Sequence, residues 1–247
     1  MAILSTPAIV LRRINHSETS LICTLYTRDY GKMPVIAKGA RRQKSPFAGL
    51  LDLMSYLDVV VYTKESREIQ TLSEAEYVRP FNRLQQDMDR ASIGMVILET
   101  IQQAIVGEEP HPELFDLTVK TLTALNDDPG REIDLLWWFH LHFASLAGYE
   151  PQFKRCYRCG RELRGGYFSS DTGQFHCERC IHHQPGMAQL TDLELRLLHY
   201  LLTSNLHDIE SDTIADLTRA PDDSQRRIRQ MQVTDTLAKY LRYHVEG

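Results

Sequence analysis

The first 80 residues alternate short apolar runs with turn-forming residues, a pattern typical of β-strands. Gly, Pro, Asp and Lys-rich breaks separate the runs. Five runs rich in β-branched and aromatic residues are predicted strands: 8–12, 19–27, 32–37, 54–62 and 69–78. Five strands in so short a segment predict a small antiparallel barrel of the OB type. An SH3-like barrel is the competing fold, and periodicity does not separate the two.

From residue 80 onward the apolar positions recur every three to four residues, which predicts helices. The third predicted helix is apolar almost all round, so we expect it to lie at the centre of a helical domain. In the fourth, Thr191 is the expected N-cap and Glu194 completes a capping box. The predicted helices are 84–106, 112–125, 131–147, 191–202 and 224–244.

These patterns predict an α+β protein in which an N-terminal five-stranded OB-type β-barrel precedes a helical domain, and this helical domain has an embedded four-cysteine module. The expected parts are an OB-fold domain (1–80), the first part of the helical domain (81–150), the four-cysteine module (151–187) and the C-terminal part of the helical domain (188–247).

The formal net charge of −5 argues against a nucleic-acid binder, but the charge is unevenly distributed. Residues 1–80 carry a net +3, residues 81–150 a net −8, and residues 151–247 a net of zero. The basic N-terminal region and the acidic central region indicate two different binding partners or two different faces of the protein. No apolar run approaches the ~20 residues that cross a bilayer, and the N-terminus does not fit a secretory signal. We therefore expect a cytoplasmic protein without membrane contact.

Four of the five cysteines form two CxxC pairs separated by seventeen residues: Cys156, Cys159, Cys177 and Cys180. This spacing is typical of a four-cysteine zinc site, in which each CxxC turn directs two thiolates at one metal. Four thiolates close the coordination shell, so the sequence favours structural over catalytic zinc. His176, His182 and His183 lie near and are weaker alternatives as ligands. A redox dithiol is a further alternative, but no βαβ unit accompanies the CxxC pairs.

A basic stretch follows the second predicted strand and continues beyond the third. Its candidate DNA-binding cations are Arg28, Lys32, Lys38, Arg41, Arg42 and Lys44. Tyr26, Tyr30 and Phe47 interleave with them, and cations with aromatic faces are what single-strand binders use. The alternative to DNA binding is that this basic stretch is simply a solvated loop with several charges. A weaker basic cluster surrounds the first cysteine pair, and a solvated surface explains it equally well: Lys154, Arg155, Arg158, Arg161 and Arg164.

The first 50 residues and the cysteine module together resemble the RecO family of bacterial recombination mediators. The most specific pattern is YT-x3-GK-x4-AKGAR-x3-S, which begins at Tyr26 and ends at Ser45. The resemblance implies an OB fold, a helical domain and an embedded zinc module. It also implies that the OB domain and nearby basic residues contact single- and double-stranded DNA.

The resemblance further implies annealing of complementary strands in recombinational DNA repair. With a RecR-like mediator, such a protein helps a recombinase replace single-strand-binding protein on DNA. The acidic region 81–150 is the expected face toward protein partners. No nucleotide-binding, serine-hydrolase or metalloprotease motif is present, so we expect a protein that is not an enzyme. The alternatives are a zinc-dependent nucleic-acid hydrolase and a protein-binding adaptor.

Overall fold

The computed structural model describes residues 2–105, 107, 109–169, 173–181, 187–209, 213–214 and 222–245. The chain divides into two compact units, Met1–Glu132 and Ile133–Gly247. The four-part division expected from the sequence stays a prediction.

Five strands of the first unit form one sheet that closes into a barrel in the order β1-β2-β3-β5-β4. Neighbouring strands are antiparallel except β3 and β5, which pair in parallel at Val35–Gln70 and Ile36–Thr71. The second half of β1 pairs with β2 and its first half with β4, which closes the sheet. The strands are β1 (Ala2–Asn15), β2 (Leu21–Thr27), β3 (Gly31–Ala37), β4 (Tyr56–Thr63) and β5 (Gln70–Arg79).

The barrel core follows the two-residue period of its strands. Cys23 and Leu25 of β2 face Val35 of β3, and Leu57 and Val59 of β4 complete the same buried cluster. All five predicted strands are present. The first is longer than expected, because β1 begins at Ala2, where Ser5, Thr6 and Pro7 interrupt the apolar pattern but still pair with β4.

The described residues of the first unit also form three helices that follow the barrel: α1 (Asn82–Gln86), α2 (Met88–Ala104) and α3 (Pro112–Asp127). The prediction of one helix over 84–106 is wrong. Asp87 adopts an extended conformation, and its carboxylate accepts hydrogen bonds from the backbone N–H groups of Asp89 and Arg90, both at 3.1 Å. This N-cap ends α1 and begins α2.

The described part of the second unit includes three long helices and a small sheet of order β7-β6-β8. The helices are α4 (Glu132–Leu146, which begins at the last residue of the first unit), α5 (Asp192–Thr203) and α6 (Asp223–Val245), and the strands are β6 (Gly166–Ser169), β7 (Gln174–His176) and β8 (Ala188–Leu190). A 3-10 turn spans Leu206–Asp208. None of the described helices is long and apolar enough to cross a membrane.

Helix α4 occupies the central position expected from its apolar character. The indole N–H of Trp137 donates to Thr234 Oγ1 of α6 at 2.9 Å, and that of Trp138 donates to the carbonyl oxygen of Ser204, directly after α5, at 3.0 Å. The capping box predicted at Thr191 and Glu194 is also confirmed at the start of α5. The β8 strand was not predicted from the sequence, since only three residues form it.

Candidate metal centre and nucleic-acid interface

The four paired cysteines converge as their spacing predicts. Their Sγ atoms all lie within 4.8 Å of one another, and Cys159 Sγ and Cys177 Sγ are 3.7 Å apart. A tetrahedral zinc–thiolate centre has sulfur–sulfur edges of about 3.8 Å, as follows from Zn–S bonds near 2.3 Å. A disulfide would need about 2.05 Å, and all five cysteines are free. The arrangement therefore fits a metal ion.

Each cysteine pair lies on a tight turn whose backbone amides bond back to the first cysteine. The N–H of Gly160 donates to the carbonyl of Cys156 at 2.8 Å, and the N–H of Cys180 donates to that of Cys177 at 2.9 Å. Gly160 has φ +69°, the left-handed conformation that favours glycine at such a turn. Each turn positions its own two thiols, and the two turns face each other. The four thiols therefore meet although no long loop is needed to position them.

The environment of Cys156 favours a thiolate. Burial alone would raise its pKa, but hydrogen bonds from the backbone at Cys177, Cys159 and Arg158 lower the pKa to about 6. Metal ligands must be deprotonated, and Cys156 meets this requirement more readily than Cys180, whose pKa is raised to about 12 by its hydrogen bond with Cys159 and by burial. The fifth cysteine differs, because burial in the barrel raises the pKa of Cys23 to about 11.

Among the described residues, the group that could hold a metal consists of the four cysteines alone. His176 is not part of it, and His182 and His183 lie outside the described residues. Four thiols fill a tetrahedral shell, an arrangement that suits a structural ion better than a catalytic one with an open position.

The six cations predicted to bind DNA are not equivalent. The guanidinium of Arg28 donates to both carboxylate oxygens of Asp116 on α3, each at 2.9 Å, and this hydrogen bonding raises its pKa. Lys32 is half-buried, and its Nζ donates to the carbonyl oxygen of Gln102 at 2.7 Å. Burial lowers the pKa of Lys32. Both side chains thus contact the helices that follow the barrel.

The other four cations, Lys38, Arg41, Arg42 and Lys44, follow β3 and are all exposed. Arg41 ties this segment to the loop between β1 and β2: its Nη1 donates to the carbonyl of Ser17 at 2.7 Å, and its backbone N–H to that of Thr19 at 3.0 Å. A groove of about 470 Å³ opens beside it, with Arg13, Asn15 and Asp52 in its lining. We call these four residues and their segment the basic loop.

The prediction that Tyr26 and Phe47 stack on bases is wrong. Tyr26 is fully buried, its ring packs edge-on against Phe115 of α3 at 5.3 Å, and its hydroxyl donates to the carbonyl of His111. Phe47 is buried in the barrel core, and Tyr30 is half-buried against it. Tyr26 is thus buried against α3 and Phe47 in the barrel interior, whereas the sequence pattern predicted both rings to be exposed to solvent.

The fold and the candidate site define a class: one unit contains a small closed barrel with an exposed basic loop, and the other contains a cluster of four cysteine thiols that could bind a metal ion. The chain belongs to the RecO family. The family models described as "Recombination protein O N terminal" and "Recombination protein O C terminal" match residues 1–81 and 85–247.

Curated relatives agree with this assignment. The chain is 41% identical to "DNA repair protein RecO" of Salinibacter ruber over 154 residues, 62% of this chain and 59% of the relative. The relative of the same name from Rhodopirellula baltica is 37% identical over 177 residues, 70% of this chain and 65% of that protein. These two alignments span less than two thirds of the relatives' length. The relative from Caldanaerobacter subterraneus is 28% identical over 246 residues, 100% of this chain and 94% of its own.

The matching family models and the relatives described above are named for recombination and DNA repair, and none of these names denotes an enzyme. The expectation that the chain is not an enzyme is confirmed by this membership.

Proposed function

We propose that the protein acts in recombinational DNA repair by binding single- and double-stranded DNA on its barrel, without covalent chemistry. The observation that carries this proposal is the exposed basic loop joined to the β1–β2 loop through Arg41 and Ser17. The strand order β1-β2-β3-β5-β4, closed on β1, supports an OB-type barrel. In such barrels the loop between strands 1 and 2 takes part in oligonucleotide binding.

The basic loop supplies the electrostatic part of binding. Within the described part of the chain, Lys38, Arg42 and Lys44 form no ion pair, so their charges are available to phosphates. Arg28 and Lys32 already donate to Asp116 and Gln102, which makes them weaker candidates. We propose that neutralised phosphates let two complementary strands approach and anneal, because repulsion between their backbones falls.

We propose zinc as the ion of the four-cysteine centre, in a structural role. A tetrahedral set of thiolates suits zinc, and a bound ion would crosslink the two cysteine turns. The aromatic rings of Phe153, Phe175 and Phe168 pack in sequence behind these turns, with centroids 5.2 Å apart at each step. The closed set of ligands does not favour the alternative of a zinc-dependent hydrolase.

The proposal includes the mediator role implied by the resemblance: help for a recombinase on DNA coated by single-strand-binding protein, together with a RecR-like mediator, in the cytoplasm at the nucleoid. Helix α2 supports a contact with protein, because it exposes Met88, Met95 and Val96 beside the acids Asp89 and Glu99. A rim of charge around exposed apolar side chains is typical of protein-binding surfaces.

Oligonucleotide titrations at several salt concentrations test the DNA-binding site. We expect the triple substitution Lys38→Ala, Arg41→Ala and Arg42→Ala to weaken binding of single-stranded DNA several-fold and to flatten the log–log salt slope by about 2, since each phosphate contact contributes about 0.7. The control is Arg79→Gln, which removes an exposed barrel cation that already contacts Asp127 at 2.7 Å. An unchanged slope in the triple variant would remove the basic loop from the proposal.

A further inference from the structure

Tyr157 is the most exposed tyrosine among the large hydrophobic side chains of the described residues, with 68% of its surface accessible. It lies between Cys156 and Cys159, two of the four cysteines that could hold a metal ion. Its backbone N–H donates to the carbonyl of Phe175 at 2.9 Å, so the turn that carries it is fixed to β7. Its ring and the imidazole of His176 are nearly perpendicular, with centroids 6.2 Å apart. An aromatic side chain is therefore presented to solvent from a rigid turn.

The turn lies in the most basic part of the second unit. Described residues 151–169 and 173–181 carry six cations and two acids, Glu162 and Glu178, a net +4 in a chain whose total is −5. The cations are all exposed: Lys154, Arg155, Arg158, Arg161, Arg164 and Arg179. Within the described residues, Arg155 and Arg161 form no ion pair, and Arg155 Nη1 donates a long hydrogen bond of 3.4 Å to the carbonyl of Gly160.

At the basic loop of the first unit, the aromatic rings are less exposed than Tyr157: Tyr30 is half-buried, and Tyr77, whose hydroxyl donates to the carbonyl of Gly49, is 40% exposed. There the cations are exposed, but Tyr26 and Phe47 are buried. In the cysteine module, by contrast, an exposed ring and unpaired cations occur on one short segment. Binding of a single strand needs both, because cations attract the phosphate backbone and aromatic faces stack on unpaired bases.

We propose that the four-cysteine module is a second nucleic-acid contact, in which Tyr157 stacks on a base of a single strand while Arg155 and Arg161 bind its phosphates. This inference rests on the proposed DNA-binding function and extends it to the second unit. A protein with two such contacts, one in each unit, can hold two strands, which is what annealing requires. A metal ion held by the four cysteines would keep the turn rigid, so that little conformational entropy would be lost when the base stacks.

The test compares variants of the full chain against a labelled oligothymidylate and an abasic strand of equal length, which keeps the phosphates but lacks the bases. We expect Tyr157→Ala to weaken binding of oligothymidylate about fivefold or more and to leave binding of the abasic strand unchanged. Tyr157→Phe keeps a stacking face and should bind oligothymidylate as the unaltered protein does. Bound metal and melting temperature, measured on each variant, establish that the module remains folded.

The charge contribution is tested separately. Arg155→Gln with Arg161→Gln should flatten the log–log salt slope for single strands by about 1.4. The matched control is Arg196→Gln with Lys239→Gln, which removes two cations of the same unit that already form i,i+4 ion pairs with Asp192 and Asp235. This control should leave the slope unchanged.

The possible failures are distinguishable. If the unaltered protein does not bind oligothymidylate, both the proposed function and this inference are overturned. If it binds, and the basic-loop variant weakens binding while Tyr157→Ala does not, the inference alone is overturned. Equal losses of oligothymidylate and abasic-strand binding in Tyr157→Ala would also overturn it, because they would show that no base stacks on the ring.

Discussion

Arg28 and Asp116 join the end of strand β2 to helix α3 through two hydrogen bonds of 2.9 Å each, although 88 residues separate them in the chain. The guanidinium donates two parallel hydrogen bonds to this carboxylate, and it would bind a phosphate with the same geometry. A cation that the sequence assigns to DNA is thus engaged within the protein. Its role in holding α3 to the barrel follows from the pairing.

The ion pair with Asp116 predicts that Arg28 contributes little to the affinity for DNA. We expect Arg28→Gln to change the affinity for single-stranded DNA by less than about twofold, because the guanidinium contributes no free charge. Fluorescence anisotropy at low salt measures this, with the basic-loop variant alongside. A loss in Arg28→Gln as large as in that variant would show that Arg28 leaves Asp116 when DNA binds. Asp116→Asn should lower the melting temperature slightly, since the pair is exposed.

The four-cysteine centre predicts a metal-dependent stability. We expect Cys156→Ser to lower bound zinc well below one ion per chain and to reduce the melting temperature, because binding free energy at such a centre is also folding free energy. Elemental analysis and thermal unfolding of the same preparation measure both quantities.

The fifth cysteine provides the control. Cys23→Ala lies in the barrel core and should keep one zinc per chain. If Cys156→Ser retained one ion per chain, the assignment of the ligands would be wrong.

The buried His140 predicts a loss of stability in mild acid. Burial lowers its pKa to about 4, whereas an unfolded histidine titrates near 6.5. Above pH 6.5 both states are neutral and the side chain contributes no pH dependence. As the pH falls from about 6.5 to about 4, the unfolded chain binds a proton on His140 that the folded protein does not bind. The free energy of unfolding therefore decreases, by up to about 2 kcal/mol at pH 5.

Urea unfolding at pH 7 and pH 5 measures this effect. We expect His140→Leu, which cannot be protonated, to lose less free energy of unfolding between the two values than the unaltered protein does. An equal loss in both proteins would assign the acid sensitivity to other groups.

The N-cap at Asp87 predicts that its removal destabilises the junction of α1 and α2. Asp87→Ala removes the acceptor of two backbone N–H groups and should reduce the free energy of unfolding by about 1 kcal/mol. Asp89→Ala is the matched control, since it removes a neighbouring acid of the same helix that does not cap it. Chemical denaturation of the two variants should therefore give different midpoints, and equal midpoints would contradict the capping role.

Several features followed from the sequence because their causes are local. Alternating apolar residues predicted the five strands, and Thr191 with Glu194 predicted the start of α5. The CxxC spacing predicted the convergence of four thiols, since each turn places its own two sulfurs. The break at Asp87 was missed because the apolar stripe of 84–106 continues across it. Its signal was present in the sequence, as an aspartate directly before a helical pattern.

The sequence by itself determined the barrel's strands, the cysteine turns and the presence of a basic loop, because neighbouring residues specify turns, pleats and caps. Only the tertiary structure decided which groups remain available to a ligand. Tyr26 is buried by Phe115 and Arg28 is engaged by Asp116, both from a helix almost 90 residues away, while Tyr157 stays exposed. Burial and ion pairing depend on what distant segments bring into contact, and no local pattern carries that information.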